Sequence, residues 1–222
     1  MKKEEYSKIF IILCAINITC LLISNIITIK TINIWGLIFT AGDILFPFTY
    51  ILNDVFTEVY GFDKSKLIIW TSFFCNLLMI IIFKITILLP SSESFEMQEE
   101  LVKILGSTPR ILIASFISFL VGNFANSIVM SKMKVKTEGK YLALRTIGST
   151  LIGEGLDTLI FIPIVFINNL DLQTMIFLVI DTYILKVSLE IILTPITYKV
   201  IKFIKKKEKI DTYDKGLKYR IL

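Results

Sequence analysis

Two carboxylates, Asp54 and Glu58, lie in the segment NDVFTEVYG (residues 53–61) of a chain that is otherwise strongly apolar. Their i, i+4 spacing places both on one face of a helix. Each ionised group held at membrane depth costs roughly 2.5–3.5 kcal/mol on insertion scales. A second acidic pair, Glu154 and Asp157, follows much later in the chain with i, i+3 spacing. Because such charges are expensive, we expect the function to lie between these two segments.

The composition predicts the class of protein that holds these acids. The 222 residues are 55% hydrophobic and have a mean hydropathy of +0.74, which indicates a polytopic, all-α membrane protein. We expect residues 1–222 to form a single integral membrane domain. The net charge of +5 comes from cations clustered between apolar segments, as in cytoplasmic loops beside anionic lipid. The expected partner is therefore the lipid bilayer, and nucleic acid is not expected.

The residue types that are missing exclude several kinds of chemistry. The chain has no histidine, which excludes histidine-based acid–base catalysis, Ser-His-Asp nucleophiles and histidine metal sites. Its three cysteines form no C-x-x-C pair and lie in apolar segments. We therefore expect no enzyme activity, no cofactor and no metal, and any proton relay must use carboxylates. An intramembrane aspartyl protease is a weaker alternative.

Six apolar segments predict six transmembrane helices. They run over about residues 8–29, 34–60, 67–89, 111–130, 141–168 and 172–204. The second is interrupted by Gly36, Gly42 and Pro47, and the fifth by Gly148, Gly153, Gly155 and Pro163. Broken helices at membrane depth line cavities, and breaks in the middle members of two three-helix halves suggest an inverted 3+3 repeat around a central site.

Lysine and arginine placement predicts the orientation. Cations are concentrated before the first segment, after the second, after the fourth and after the sixth, so both termini should be cytoplasmic. On the opposite side, residues 96–105 read equally well as a short amphipathic helix or as a solvated loop.

Other polar and aromatic groups could complete a binding site. Asn17 and Asn123 can either contact a ligand or hydrogen-bond between helices. Phe48, Tyr50 and Phe161 could sandwich a flat ligand, although lipid packing explains them nearly as well. Carboxylates, amides and aromatic rings together suit a planar heterocycle with donor edges, and the excess of acids favours a cationic ligand or protons. Lys186 and Glu190, spaced i, i+4, are expected to form a structural salt bridge.

Two motifs resemble those of a known family. The run PFTYILNDVFTEVYG (residues 47–61) is similar to the signature of the queuosine precursor transporter family, also called the vitamin uptake transporter family. The run GEGLDTLIF (residues 153–161) resembles its second motif, and RTIG (residues 145–148) also fits. The resemblance covers nearly the whole chain. It implies import of 7-deazaguanine bases such as preQ0, preQ1 or queuine across the cell membrane for tRNA queuosine salvage.

The motifs and the neighbouring polar and aromatic residues define a set of predicted substrate-binding residues. The set is Asn17, Phe48, Tyr50, Asn53, Asp54, Glu58, Asn123, Arg145, Glu154, Asp157, Thr158 and Phe161. The leading hypothesis is a secondary transporter or facilitator, with protons as a candidate coupling ion and a homodimer as the default assembly. The alternative is the substrate-binding membrane subunit of a multi-component vitamin importer. No Walker-type phosphate loop occurs, so this chain does not hydrolyse ATP by that route.

Overall fold

The computed structural model describes residues 6–34, 37–106, 109–167 and 171–221. These residues are mostly helical, as predicted, with one short antiparallel hairpin that pairs β1 with β2. The elements are α1 (Lys8–Ile27), β1 (Thr31–Ile34), β2 (Leu37–Thr40), α2 (Phe46–Val55), α3 (Phe62–Leu88), α4 (Gln98–Leu105), α5 (Pro109–Lys136), α6 (Leu142–Phe166) and α7 (Leu172–Glu208). Of the two alternatives for residues 96–105, a short helix and a solvated loop, the structure has the helix, α4.

The helices bury polar groups and expose apolar ones. Thr57, Ser65 and Asn126 are buried between helices, whereas Phe74 and Leu78 face outward. Four helices of the described part are long and apolar enough to cross a membrane: α1, α3, most of α5 and α6. Because lipid tails are as apolar as the exposed side chains, this distribution is typical of a multi-pass membrane protein.

The predicted second span is interrupted, as its sequence indicates. After the β-hairpin, a 3-10 helix over Ala41–Ile44 leads into α2, and a π-helical turn over Phe56–Tyr60 follows. Pro47 lies in the first turn of α2, where its missing N–H has no helical partner to lose. Gly36, another predicted interruption, lies outside the described residues. Single π-helical turns of this kind occur frequently at functional sites.

The predicted interruption of the fifth span is wrong, because α6 runs unbroken from Leu142 to Phe166. Its glycines serve close packing instead. A Cβ on Gly153 would lie 2.7 Å from Asn126 Cβ on α5, and one on Gly122 would lie 3.0 Å from the Gly153 carbonyl oxygen. Small residues at such a crossing let two membrane helices approach closely. Pro163 lies within the last turns of α6, so it ends the helix rather than dividing it.

Side-chain caps and tight turns fix where several helices begin and end. Ser7 accepts a hydrogen bond from Phe10 N at the start of α1, and Asp171 accepts one from Thr174 N at the start of α7. Gly61, with φ of +86°, joins the π turn directly to α3. We call the end of the bundle around Gly61, where α3 and α6 begin and α5 and α7 end, the inner end.

Candidate functional site

The two acids of α6 share one cation from α7. Lys186 Nζ lies 2.9 Å from Glu154 Oε2 and 2.7 Å from Asp157 Oδ2. The spacing of Lys186 predicted a bridge to Glu190 on its own helix, but these ion pairs run across to α6. The hydroxyl of buried Tyr50, on α2, hydrogen-bonds to Glu154 and so brings α2 to the same acids. One lysine therefore serves two carboxylates between α6 and α7.

Asp54 on α2 is buried without such compensation. It is 1% exposed, and neither carboxylate oxygen has a hydrogen-bond partner among the described residues. Asn126 on α5 is near enough for a weak side-chain hydrogen bond to it, but no hydrogen bond of good geometry joins the Asn126 Nδ2 to the carboxylate. Glu190 on α7 is buried too and interacts electrostatically with both Asp54 and Glu154. Buried polar atoms without partners are unfavourable in the resting protein and are available to a ligand.

Asn53 belongs to a hydrogen-bond network that holds three helices together. Its Nδ2 donates to Asn126 Oδ1 at 2.9 Å, and its Oδ1 accepts from Ser65 on α3 and Ser127 on α5, each at 3.3 Å. Thr57 joins the same two serines at 3.0 and 3.1 Å. This arrangement matches the structural role that amides commonly play in membrane bundles, and it positions the Asn126 amide beside Asp54.

Glu58 lies at the inner end in an ion-pair cluster of its own. Its Oε1 is 2.6 Å from Arg145 Nη2 on α6, 2.7 Å from Lys205 Nζ on α7 and 3.7 Å from Lys134 Nζ on α5. Glu58 and Arg145 are both fully buried. Asp211, beyond α7, pairs with the same two lysines. The cluster joins the π turn to three helices and neutralises the charge of Glu58. None of its cations forms an ion pair with Asp54 among the described residues.

A small cavity lies between α1, α2, α3 and α5. Asn17, Asn53 and Asn123 contribute to its wall together with Thr49 and Ser72. Its volume of about 10 Å³ is near the room that one water molecule needs. A ligand larger than one water molecule therefore could enter this cavity only if the helices around it separated.

The remaining predicted residues are distributed unevenly around this centre. Thr158 on α6 is buried, and its hydroxyl has no hydrogen-bond partner among the described residues. Phe161 is half-buried on the same helix. Phe48, by contrast, is 55% exposed at the start of α2. The structure therefore brings Tyr50 to the α6 acids and Asp54 to Glu190, and it leaves Phe48 outside both groups.

Sequence reasoning missed several members of both clusters. Glu190 was assigned to a local salt bridge, and Lys134 and Lys205 were interpreted only as loop or tail cations. The predicted second span, residues 34–60, contains no cation that could balance Glu58. This is the one signal that could have pointed to the two lysines, because a buried carboxylate needs cations from other parts of the chain. Among the described residues, no group of three or more Cys, Asp and Glu side chains could hold a metal ion.

Comparisons with known proteins agree with this picture of a membrane carrier. Residues 40–200 match the model of a family described as "Putative vitamin uptake transporter". A protein of Bacillus subtilis (strain 168) named "Probable queuosine precursor transporter" is 26% identical over 187 residues, which cover 84% of this chain and 82% of that protein. A protein of the same name from Haemophilus influenzae is 28% identical over 132 residues, or 60% of this chain and 54% of that protein. No solved structure matches the chain.

Proposed function

Since this chain belongs to the vitamin uptake transporter family, we propose that it imports queuosine precursors across the cell membrane. The substrates are 7-deazaguanine bases such as preQ0, preQ1 or queuine, carried by a secondary transporter or facilitator for tRNA queuosine salvage. Two relatives carry the name queuosine precursor transporter, which supports this substrate class.

The observation that carries the proposal is the unpaired carboxylate of Asp54, which interacts with Glu190 on α7. A guanine-like edge offers an N1–H and a 2-amino group, and one carboxylate can accept from both. Asp54 has two buried oxygens without partners in the described structure, which is the acceptor pair that such an edge requires. The amine of preQ1 or queuine is cationic near neutral pH and suits Glu154 and Glu190. PreQ0 is neutral and would use the guanine-like edge alone.

We further propose six membrane crossings with both termini in the cytoplasm. The interrupted segment from β1 to the π turn supplies the second crossing, and α7 supplies the sixth. α7 carries Asp181, Lys186 and Glu190 within its apolar part, which lowers its hydropathy without shortening it. The inner end then faces the cytoplasm and anionic lipid. The inverted relation between the two halves stays a prediction, as does a homodimer.

The central test is a binding series on the purified protein. Thermal-shift and equilibrium-binding measurements with preQ0, preQ1, queuine and guanine would identify the ligand class and rank the contribution of the amine. Uptake of labelled precursor by cells that express the chain would then be measured for Asp54→Asn and Glu154→Gln. Unchanged uptake in folded variants would contradict the assignment of this site.

The purified protein also tests the alternative, the substrate-binding subunit of a multi-component importer. The family's description as a vitamin uptake transporter is compatible with such a subunit. Such a subunit needs a separate energising module, so an ATPase and a partner membrane protein should co-purify with it. Uptake by liposomes that contain this chain alone would support the secondary transporter.

A further inference from the structure

The segment after α7 folds back over the inner end. α7 ends at Glu208, and the next residue, Lys209, turns the chain with a φ of 55°. Thr212 N then donates to Val59 O in the π turn at 3.1 Å. We call residues 209–221 the latch segment. The described structure places this segment against the helices.

Two aspartates of the latch segment, Asp211 and Asp214, hold it against the helices. Asp211 forms ion pairs with Lys134 and with Lys205, the latter at 2.8 Å. Asp214 Oδ2 accepts from Phe62 N at 2.9 Å, at the start of α3, and from the Ser131 hydroxyl on α5. A carboxylate at a helix N-terminus meets both unpaired N–H groups and the positive end of the helix dipole.

The end of the segment is held by aromatic and main-chain contacts. The Tyr219 ring packs edge-on against Phe62 with 5.1 Å between centroids, and its hydroxyl lies 3.0 Å from Ser131 Oγ. Trp70 Nε1 donates to Ile221 O at 2.9 Å. These contacts fix the last residues of the segment on α3 and α5.

Two glycines make room for the segment. A Cβ on Gly61 would lie 2.7 Å from Thr212 Cγ2, and a Cβ on Gly139 would overlap the Tyr213 hydroxyl. Both glycines have positive φ, +86° and +78°, where other residues are strained. The surface under the latch segment is therefore shaped to receive it.

The cations under the segment are those that bind Glu58. Lys134 and Lys205 each pair with Glu58 in the π turn and with Asp211 in the latch segment. The latch segment thus ties the inner end of the second crossing to α3, α5 and α7. These are the elements that must separate if the buried Asp54 is to become accessible from the inner side.

We propose that residues 209–221 close the inner end of the transport path, and that Asp211 and Asp214 must detach before the path opens to that side. This inference rests on the proposed transport function but on no particular substrate. Alternating access needs a barrier on each side of the site, and these charge-assisted hydrogen bonds supply one on the inner side.

Hydrogen–deuterium exchange on the full chain in lipid nanodiscs tests the proposal without substrate. In Asp211→Asn/Asp214→Asn, exchange should rise roughly tenfold or more both in the latch segment and in residues 50–60, because charged hydrogen bonds are lost. Lys218→Gln, which removes an exposed charge of the same segment, is the matched control and should leave both regions unchanged. Faster exchange in the latch segment with unchanged residues 50–60 would overturn the proposal.

A reversible cross-link provides the second measurement if the double variant fails to fold. Ser131→Cys and Asp214→Cys, in a chain whose three native cysteines are replaced by serine, would be joined by a short, reducible bifunctional thiol reagent. Joined protein should bind ligand but lose transport, and reductant should restore transport. Full transport by the joined protein would refute the latch, whereas absence of binding to every 7-deazaguanine would refute only the substrate class.

Discussion

The acids of the first motif should respond in opposite ways to neutralisation. Asp54 and Glu58 lie one turn apart, are equally buried and are both formally anionic. Glu58 is surrounded by three cations, whereas Asp54 has no ion pair among the described residues. We therefore compare Asp54→Asn with Glu58→Gln, since each replaces a carboxylate by an amide of nearly the same size.

The expected magnitudes follow from these surroundings. Glu58→Gln leaves Arg145 and the two lysines with one remaining acid, Asp211, and losing one partner of a buried ion pair costs about 3–5 kcal/mol. For a chain of this length that loss corresponds to a fall in Tm of roughly 6–20 °C. Asp54→Asn breaks no ion pair and removes a charge whose insertion costs roughly 2.5–3.5 kcal/mol. Its stability should therefore be unchanged or higher.

Thermal unfolding in one detergent, followed by intrinsic fluorescence, measures both variants. Glu99→Gln is the control, because the Glu99–Lys103 pair is exposed at 4.0 Å and contributes little to stability. Uptake measured in parallel separates stability from function: Asp54→Asn should lose transport while staying folded. A loss of stability in Asp54→Asn as large as in Glu58→Gln would mean that a cation neutralises Asp54, and the site argument would fail.

Three further predictions address packing, charge and pH. Gly153→Ala should destabilise the chain by about 1–3 kcal/mol, because the new Cβ would lie 2.7 Å from Asn126 Cβ. Gly155→Ala is the control and should not destabilise it, because its Cβ would lie 3.5 Å from a tyrosine ring. Equal unfolding midpoints for the two variants would contradict the close helix crossing. Lys186→Met should cost about 3–5 kcal/mol, and neutralising one of its two α6 partners should recover part of that loss in chemical unfolding. Burial opposes ionisation of the Asp211 carboxyl, but hydrogen bonds from its two lysine partners lower its pKa. Docking of the latch segment should therefore persist from pH 7 to about 5 and weaken only as the pH falls through that lowered pKa. Limited trypsin digestion measures this docking, and release of the segment between pH 7 and 5 would contradict the prediction.

The sequence predicted the helices well because their signal is local. Long apolar runs can satisfy their backbone in lipid only as helices, so α1, α3, α5, α6 and α7 lie where hydropathy indicates. Proline and glycine also located the break before α2. The same residue types led to a wrong prediction at α6. A glycine that breaks a helix and a glycine that lets a neighbouring helix pack closely look the same in a sequence. Gly153 is explained only by Asn126 and Gly122 on α5.

The charges were harder to predict because their partners are distant in sequence. Lys134 and Lys205 lie 76 and 147 residues from Glu58, and nothing in a single sequence joins them. The predicted role of these lysines, as positive charges of cytoplasmic loops and tail, accounted for them without any partner and concealed the cluster. Charge balance within the bundle, counted helix by helix, would have shown that Glu58 needed cations but could not have shown which ones.

The contrast between Asp54 and Glu58 has a consequence for how a transporter of this design works. A carboxylate that the fold neutralises can hold helices together, and its charge is then satisfied whether or not a ligand binds. A carboxylate that the fold leaves unpaired gains its partner only from a proton or a ligand. In the proposed mechanism, ligand binding at Asp54 removes a cost that the resting protein carries, while opening at the inner end breaks the contacts of Asp211 and Asp214. Placing Asp54 and Glu58 one turn apart on α2 and its π turn lets ligand binding and inner opening act on the same short helix.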